Sequence, residues 1–275
     1  VIALVPTMMI FAVIPLQNGV AMADLNVGIL YIVAVSSVSI VGIVMAGWSS
    51  NNKYSLIAAM RSVAQVVSYE IPLGLAIISV VLMAGSLQLS EIVAAQKDLW
   101  FILLQPLGFM IFYLASSAEV NRSPFDLLEA ESEIVAGFNI EYSGMKFAVF
   151  YLTEYLESLA MSTIIATIFL GGWISPFGET VIPGIIWFLL KIFVVFAVIV
   201  WVRATMPRLR VDQVMGFAWK FLLPLSLINI FVTALEKLFL PSLPWWLVFV
   251  NLAVTGVLIL AWSRLYKVGG GRVEV

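Results

Sequence analysis

The residues able to do chemistry in this chain are carboxylates and arginines. It holds 16 Asp and Glu, 14 Lys and Arg, no His and no Cys. Without imidazole or thiolate it lacks the usual general base, the common haem and zinc ligands, iron–sulfur ligation and disulfides. Glu and Asp can take up and release protons, and Arg can pair carboxylates or donate to a polar head group. No metal site is expected, and any redox metal must sit on another chain. A net charge of −2 indicates no nucleic acid partner.

The densest group lies in Ala118 to Lys146, AEVNRSPFDLLEAESEIVAGFNIEYSGMK. Six acids, Glu119, Asp126, Glu129, Glu131, Glu133 and Glu141, stand there against two bases. Composition alone allows a solvated loop. The order of residues argues for more. Ser123-Pro124-Phe125-Asp126 has the form of a capping box, which predicts a short helix from Pro124 to about Ala136, ending at Gly137. On that helix Asp126, Glu129 and Glu133 share a face, while Glu131 falls among Leu127, Leu128, Ile134 and Val135. A carboxylate on an apolar face is costly unless it is paired, protonated or hydrated.

More charges interrupt apolar runs. Glu70 is nine residues past Arg61 and Glu154 eight past Lys146. In a helix that puts them roughly 12–13 Å inward, at similar depth. Neither has an obvious basic partner there. Pro72 follows Glu70 and invites a kink. Glu157 lies one turn deeper than Glu154, and Lys191 sits mid-span at about that depth. A charge at a bilayer centre costs about 2.5–3.5 kcal/mol and usually marks an ion or proton path. Glu157 with Lys191 is equally readable as a structural ion pair.

The elements that carry these groups follow from composition. Sixty-three per cent of the residues are hydrophobic and 11 % charged, against about 25 % charged in a soluble domain. Mean hydropathy is +1.10. One soluble core cannot hide that much apolar surface, so a soluble enzyme and a disordered chain are excluded and lipid is the expected solvent. Eight stretches approach the ~20 residues of a spanning helix: Val1–Leu16, Leu25–Trp48, Ser62–Gly85, Leu99–Ala118, Lys146–Gly172, Ile182–Met206, Phe221–Leu240 and Trp245–Tyr266. The expectation is an all-α, polytopic transmembrane helix bundle forming one domain over residues 1–275. Val1 opens inside an apolar run, so the chain is read as lacking its start.

Basic residues set the expected orientation. One set of loops carries Lys97 and Lys237. The other set, with the C-terminal tail, carries Lys53, Arg61, Arg122, Lys146, Arg203, Arg208, Arg210, Lys220, Arg264, Lys267 and Arg272. The positive-inside rule puts this second set, including the acidic segment 119–146 and a basic loop 203–220, in the cytoplasm. Trp48, Trp100, Trp173, Trp245 and Trp246 fall near span ends, as an interfacial belt would. The run Arg203–Gln213 is readable either as simple topology or as a basic wall beside the acidic segment.

Four stretches carry a family resemblance: SSNNKYSLIAAMRSVAQVVSYE, then AEVNRSPFDLLEAESEIVAGFNIEYSGMKFAVFYLTEY, then IFLGGW, then WVRATMPRLRVDQ. From about Ala23 to Leu225 the chain resembles the quinone-site membrane subunit of respiratory complex I, the NADH dehydrogenase subunit 1 family. Against that family's pattern, a first helix and the loop after it are missing here. The eighth stretch looks like the extra C-terminal helix of bacterial members.

The resemblance implies a subunit of a proton-pumping NADH:quinone oxidoreductase, with quinone as substrate. FMN and iron–sulfur clusters would sit on partner subunits of the peripheral arm, and pump subunits of the membrane arm would be neighbours. This chain would build the membrane part of the quinone cavity in a bacterial cytoplasmic membrane, in contact with lipid. By motif position Glu70, Glu119, Asp126, Glu129, Glu131, Glu133, Glu141 and Glu154 would relay protons. Arg122, Phe125, Arg203, Arg208 and Arg210 would line or brace the quinone cavity. Glu157 and Lys191 fall outside the family motifs. Two other readings stand beside this one: the homologous subunit of a membrane-bound hydrogenase, and a stand-alone ion transporter.

Overall fold

The computed structural model describes residues 1–17, 19–126, 137–175, 183–240 and 244–265. Its elements are α1 (Leu4–Val13), α2 (Gly28–Ser49), α3 (Lys53–Ala84), α4 (Leu89–Ala94), α5 (Phe101–Leu104), α6 (Pro106–Glu119), α7 (Met145–Ile168), α8 (Gly184–Thr205), α9 (Val211–Phe217), α10 (Leu223–Phe239) and α11 (Leu247–Leu265). A π-helical turn, Ala218–Leu222, joins α9 to α10. Each of the eight apolar stretches contains a helix. By length and composition α2, α3, α8 and the run Val211–Phe239 can cross a membrane, and the chain is an all-α polytopic membrane bundle.

At 32 residues, α3 is about 48 Å long. It packs against α2, α6 and α10 and is the most enclosed of these spans. Its core face carries Tyr69, Leu73, Ala76, Ile77 and Val80, all buried. It starts on Asn52, whose Oδ1 accepts from the Tyr54 amide at 3.0 Å, an ordinary N-cap. It runs through Pro72 as one helix. The α2–α3 hairpin is tight because residue 47 is Gly: a Cβ there would meet the Ala59 Cβ at 2.4 Å. By contrast α8 leaves Phe193 71 % and Trp201 69 % exposed, an apolar face that needs lipid or another chain over it.

One proline divides what hydropathy reads as continuous, and a second sits in a helical run that continues through it. The expected span Leu99–Ala118 is two helices, α5 and α6, because Pro106 has no N–H to continue the ladder and takes the first position of α6. Pro224 follows the π turn, and the Lys220 carbonyl accepts instead from Trp262 Nε1 at 3.0 Å.

Lys191 does not meet Glu157. Its Nζ donates to the carbonyls of Leu170, Gly172 and Ile174 at 2.7, 2.9 and 2.7 Å, and lies 4.7 Å from the Trp100 ring centre. These carbonyls belong to the turn after α7, where Gly171 and Gly172 have φ of 71° and 49°. Along α7 that turn is about 20 Å from Glu157, so the two residues do not share a depth. Trp100 and Trp173 therefore face protein rather than a lipid interface; Trp173 is buried, whereas Trp48 and Trp245 are exposed.

Candidate functional site

Five helices bring carboxylates and hydroxyls together, near the middle of α1, α2, α3 and α7 and at the C-terminal end of α6. The C-terminal residue of α6 is Glu119. Glu70 comes from α3, and Glu154 and Glu157 from one face of α7, three residues apart. Opposite them, α2 presents two consecutive serines. Ser37 Oγ donates to Glu70, and Ser36 is hydrogen-bonded to Glu119. From α1, Thr7 Oγ1 donates to Glu157 Oε1 at 3.4 Å. The Glu70 and Glu119 charges act on each other, and Glu157 feels Glu119, Glu154 and Arg122. Each of the three hydroxyls thus meets a carboxylate borne by a different helix, Ser37 that of α3, Ser36 that of α6 and Thr7 that of α7.

Arg122 is buried beside them. Asn121, at φ 52°, ends α6 in the left-handed region that Asn tolerates. The chain turns back, and the Arg122 amide donates to the Ser117 carbonyl at 3.1 Å. The guanidinium then reaches α7. Nε donates to Ser158 Oγ at 3.1 Å, Nη1 pairs Glu154 Oε1 at 3.3 Å, and the group stacks over the Tyr155 ring at 4.6 Å. Glu154 thus has the basic partner that helix depth alone did not reveal, because Arg122 arrives from a different element. Arg122 Nη2 is buried without a hydrogen-bond partner.

The helix expected to start at Pro124 does not begin there. Residues 123–126 form a turn, because their backbone groups are held by distant partners. The Phe125 carbonyl accepts from Gln65 Nε2 at 2.9 Å, and the Pro124 carbonyl from the Leu209 amide at 3.1 Å. Phe125 is buried, with ring centres 5.4 Å from Tyr69 and 6.2 Å from Phe217. Asp126 is half-buried. Glu129, Glu131 and Glu133, with the rest of the expected helix at 127–136, lie outside the described residues. The basic loop meets the acidic segment through Leu209, while Arg203, Arg208 and Arg210 are exposed. Glu141 stands apart on the surface, accepting from Asn52 Nδ2 at 2.9 Å.

Beside the carboxylates is a cavity of about 640 Å³, its open mouth included. Its walls are chiefly apolar, among them Ile10, Ile32, Leu73, Ile77, Phe112 and Met161; Glu119, Glu157, Thr7, Ser36 and Ser116 supply polar groups. An apolar hollow with few convergent polar groups suits a ligand with a long apolar part and a polar head.

The sequence matches the family model described as NADH dehydrogenase over residues 1–234. It is 60 % identical over 275 residues to an NADH-quinone oxidoreductase subunit of Dehalococcoides mccartyi strain CBDB1, covering the whole chain and 76 % of that protein. The protein of the same name in Carboxydothermus hydrogenoformans is 56 % identical over 225 residues, 82 % of this chain and 64 % of that protein. That of Geobacillus kaustophilus is 54 % identical over 237 residues, 86 % and 71 %. The chain belongs to the NADH dehydrogenase family.

For this NADH dehydrogenase family member, the structure adds a residue that the motifs leave aside. Glu157 lines the cavity, whereas Glu154, a turn away, is taken up by Arg122. The signal available in sequence is its i, i+3 spacing from Glu154 inside an apolar run. Thr7, Ser36 and Ser37 carry no such signal, since a hydroxyl in a membrane helix usually bonds its own backbone. All three also lie within hydrogen-bond distance of a backbone carbonyl, Thr7 of Ala3 and both serines of Val33, so the one hydroxyl proton is shared between carbonyl and carboxylate.

Proposed function

We propose that the chain is a membrane subunit of a proton-pumping NADH:quinone oxidoreductase, in which it forms part of the quinone cavity and relays protons through buried carboxyls. One observation carries the reading. Glu119 of α6 and Glu157 of α7 line one apolar hollow, each with a hydroxyl of α1 or α2 against it, and Glu70 of α3, held by Ser37, acts on Glu119 through its charge. Carboxyls half-buried among apolar side chains serve proton traffic far better than stability, since removing them from water is costly.

In this reading the quinone head group lies near Arg122, Phe125 and the Arg203, Arg208 and Arg210 loop, and its reduction consumes two protons. Asp126, Glu129, Glu131 and Glu133 take part in the proton exchange. Glu119 passes charge inward to Glu157 across the cavity and to Glu70 across the serine pair. Glu154 holds Arg122 in place, and Glu141 ties the segment to the α2–α3 hairpin. The acidic and basic loops face the cytoplasm of a bacterial cell, beneath the peripheral subunits that carry FMN and iron–sulfur clusters; pump subunits and lipid cover α2 and α8.

A photoreactive quinone tests this in membranes holding the assembled complex. Illumination is expected to label peptides from α1, α2 or α7 that line the cavity, or the Arg122–Asp126 turn, and excess natural quinone should compete. Labelling confined to other subunits would refute the placement.

A further inference from the structure

A second hollow, lined by apolar and polar side chains alike, lies at the opposite end of α6. Glu119 ends that helix and Gln105 precedes it, 14 residues away, so the two sites are about 20 Å apart. The break at Pro106 leaves the Leu104 carbonyl for Asn251 of α11, whose Nδ2 donates to it at 2.6 Å and to Glu236 Oε2 of α10 at 3.2 Å. Gln105 is engaged elsewhere, exchanging hydrogen bonds of 3.1 Å with Ser79 of α3. Gln105, Glu236 and Asn251 line a hollow of about 280 Å³ together with Asn229, Thr233 and apolar side chains such as Leu107 and Val254. Leu73, Ile111 and Phe112, all buried, belong to the apolar core between the two ends.

Two atoms in this chamber lack partners. Asn229 Nδ2 is an unmet donor and Asn251 Oδ1 an unmet acceptor, on side chains 4 % and 6 % exposed. Burying either without a hydrogen bond is unfavourable. We propose that the chamber is a water site, separate from the Glu119 cavity, in which bound water joins Asn229, Asn251 and Glu236 and lets Glu236 exchange protons. The donor set selects the ligand. An anion meets the Glu236 carboxylate, a bare cation meets the Asn229 N–H, and an apolar group leaves both amides unmet. Water donates and accepts, and the hollow has room for it.

Charge supports the same assignment. The neighbouring Lys237 turns away, its Nζ donating to the Met83 carbonyl at 2.9 Å. Among the described residues no Lys or Arg pairs with Glu236, so water and Asn251 are left to solvate it. Gly108 keeps the space open: a Cβ there would lie 3.2 Å from Asn229 Nδ2 and 3.3 Å from Gln105 Oε1.

The assembled membrane complex provides the test. A density map that shows water is expected to hold it within hydrogen-bond distance of both Asn229 Nδ2 and Asn251 Oδ1. In infrared difference spectra, a carboxyl signal absent from Glu236→Gln should respond to pH and shift on transfer to D2O. Asn229→Leu retains the carboxylate and should displace that signal. A chamber that is dry or filled by an acyl chain overturns the water site. A Glu236 signal indifferent to pH and D2O overturns the proton exchange. Neither result bears on the Glu119 cavity.

Discussion

Among the described residues two cations are buried, and they are satisfied differently. Lys191 has three N–H donors and three carbonyl acceptors at 2.7–2.9 Å. Its partners are backbone groups of one turn, so its charge locks that turn to α8 and nothing is left over. Arg122 has one carboxylate, one hydroxyl and one aromatic face, with Nη2 unmet. It sits where α6, α7 and the acidic segment meet. A saturated ammonium is a structural fastener; a guanidinium with a donor to spare, beside carboxylates and a cavity, can take a further acceptor.

This contrast breaks down first if Lys191 proves dispensable. Lys191→Met would leave three buried carbonyls unmet, at a cost of roughly 3–5 kcal/mol, and should prevent stable assembly, read as loss of the chain from the purified complex. Arg122→Gln should instead assemble. Losing one or two charge-assisted hydrogen bonds of about 1.5–3 kcal/mol predicts a roughly ten- to hundredfold fall in quinone reductase turnover. Oxidation of NADH by an artificial acceptor should be unchanged, and loss of both activities would make Arg122 structural as well.

Smaller effects sharpen the same comparison. Ser37→Ala removes one hydroxyl from Glu70, worth about 0.5–1.5 kcal/mol, and should slow quinone-linked proton uptake by about two- to tenfold. A matched Thr205→Ala, at an exposed residue bonded to its own helix, should leave it unaltered. Glu141→Gln should change stability by less than about 0.5 kcal/mol, measured as the melting midpoint of the complex, because its carboxylate holds Asn52 at an exposed position.

What was legible in the sequence was local. Hydropathy located a helix in each of the eight apolar stretches, four of them in helices long and apolar enough to cross a membrane, and Glu70 and Glu119 stood out in or beside apolar runs. Pro106 signalled a break, but a 20-residue apolar count reads through a single proline. The capping box at Ser123 was sound as a local rule and yielded to tertiary partners, since Gln65 and Leu209 claim the carbonyls of Phe125 and Pro124. Long-range pairing was hidden for the same reason. Arg122 and Glu154 are 32 residues apart, and depth counted along each helix from its own basic residue cannot show which faces meet. Lys191 shows that error most clearly: mid-span position suggested a carboxylate partner, and the partners are carbonyls freed by two glycines.

The most direct measurement is proton translocation per NADH oxidised, in vesicles holding the complex with the double substitution Glu119→Gln, Glu157→Gln. With both cavity carboxyls replaced, translocation should collapse while electron transfer to an artificial acceptor continues. Wild-type translocation by the assembled double variant would contradict a proton relay through this cavity.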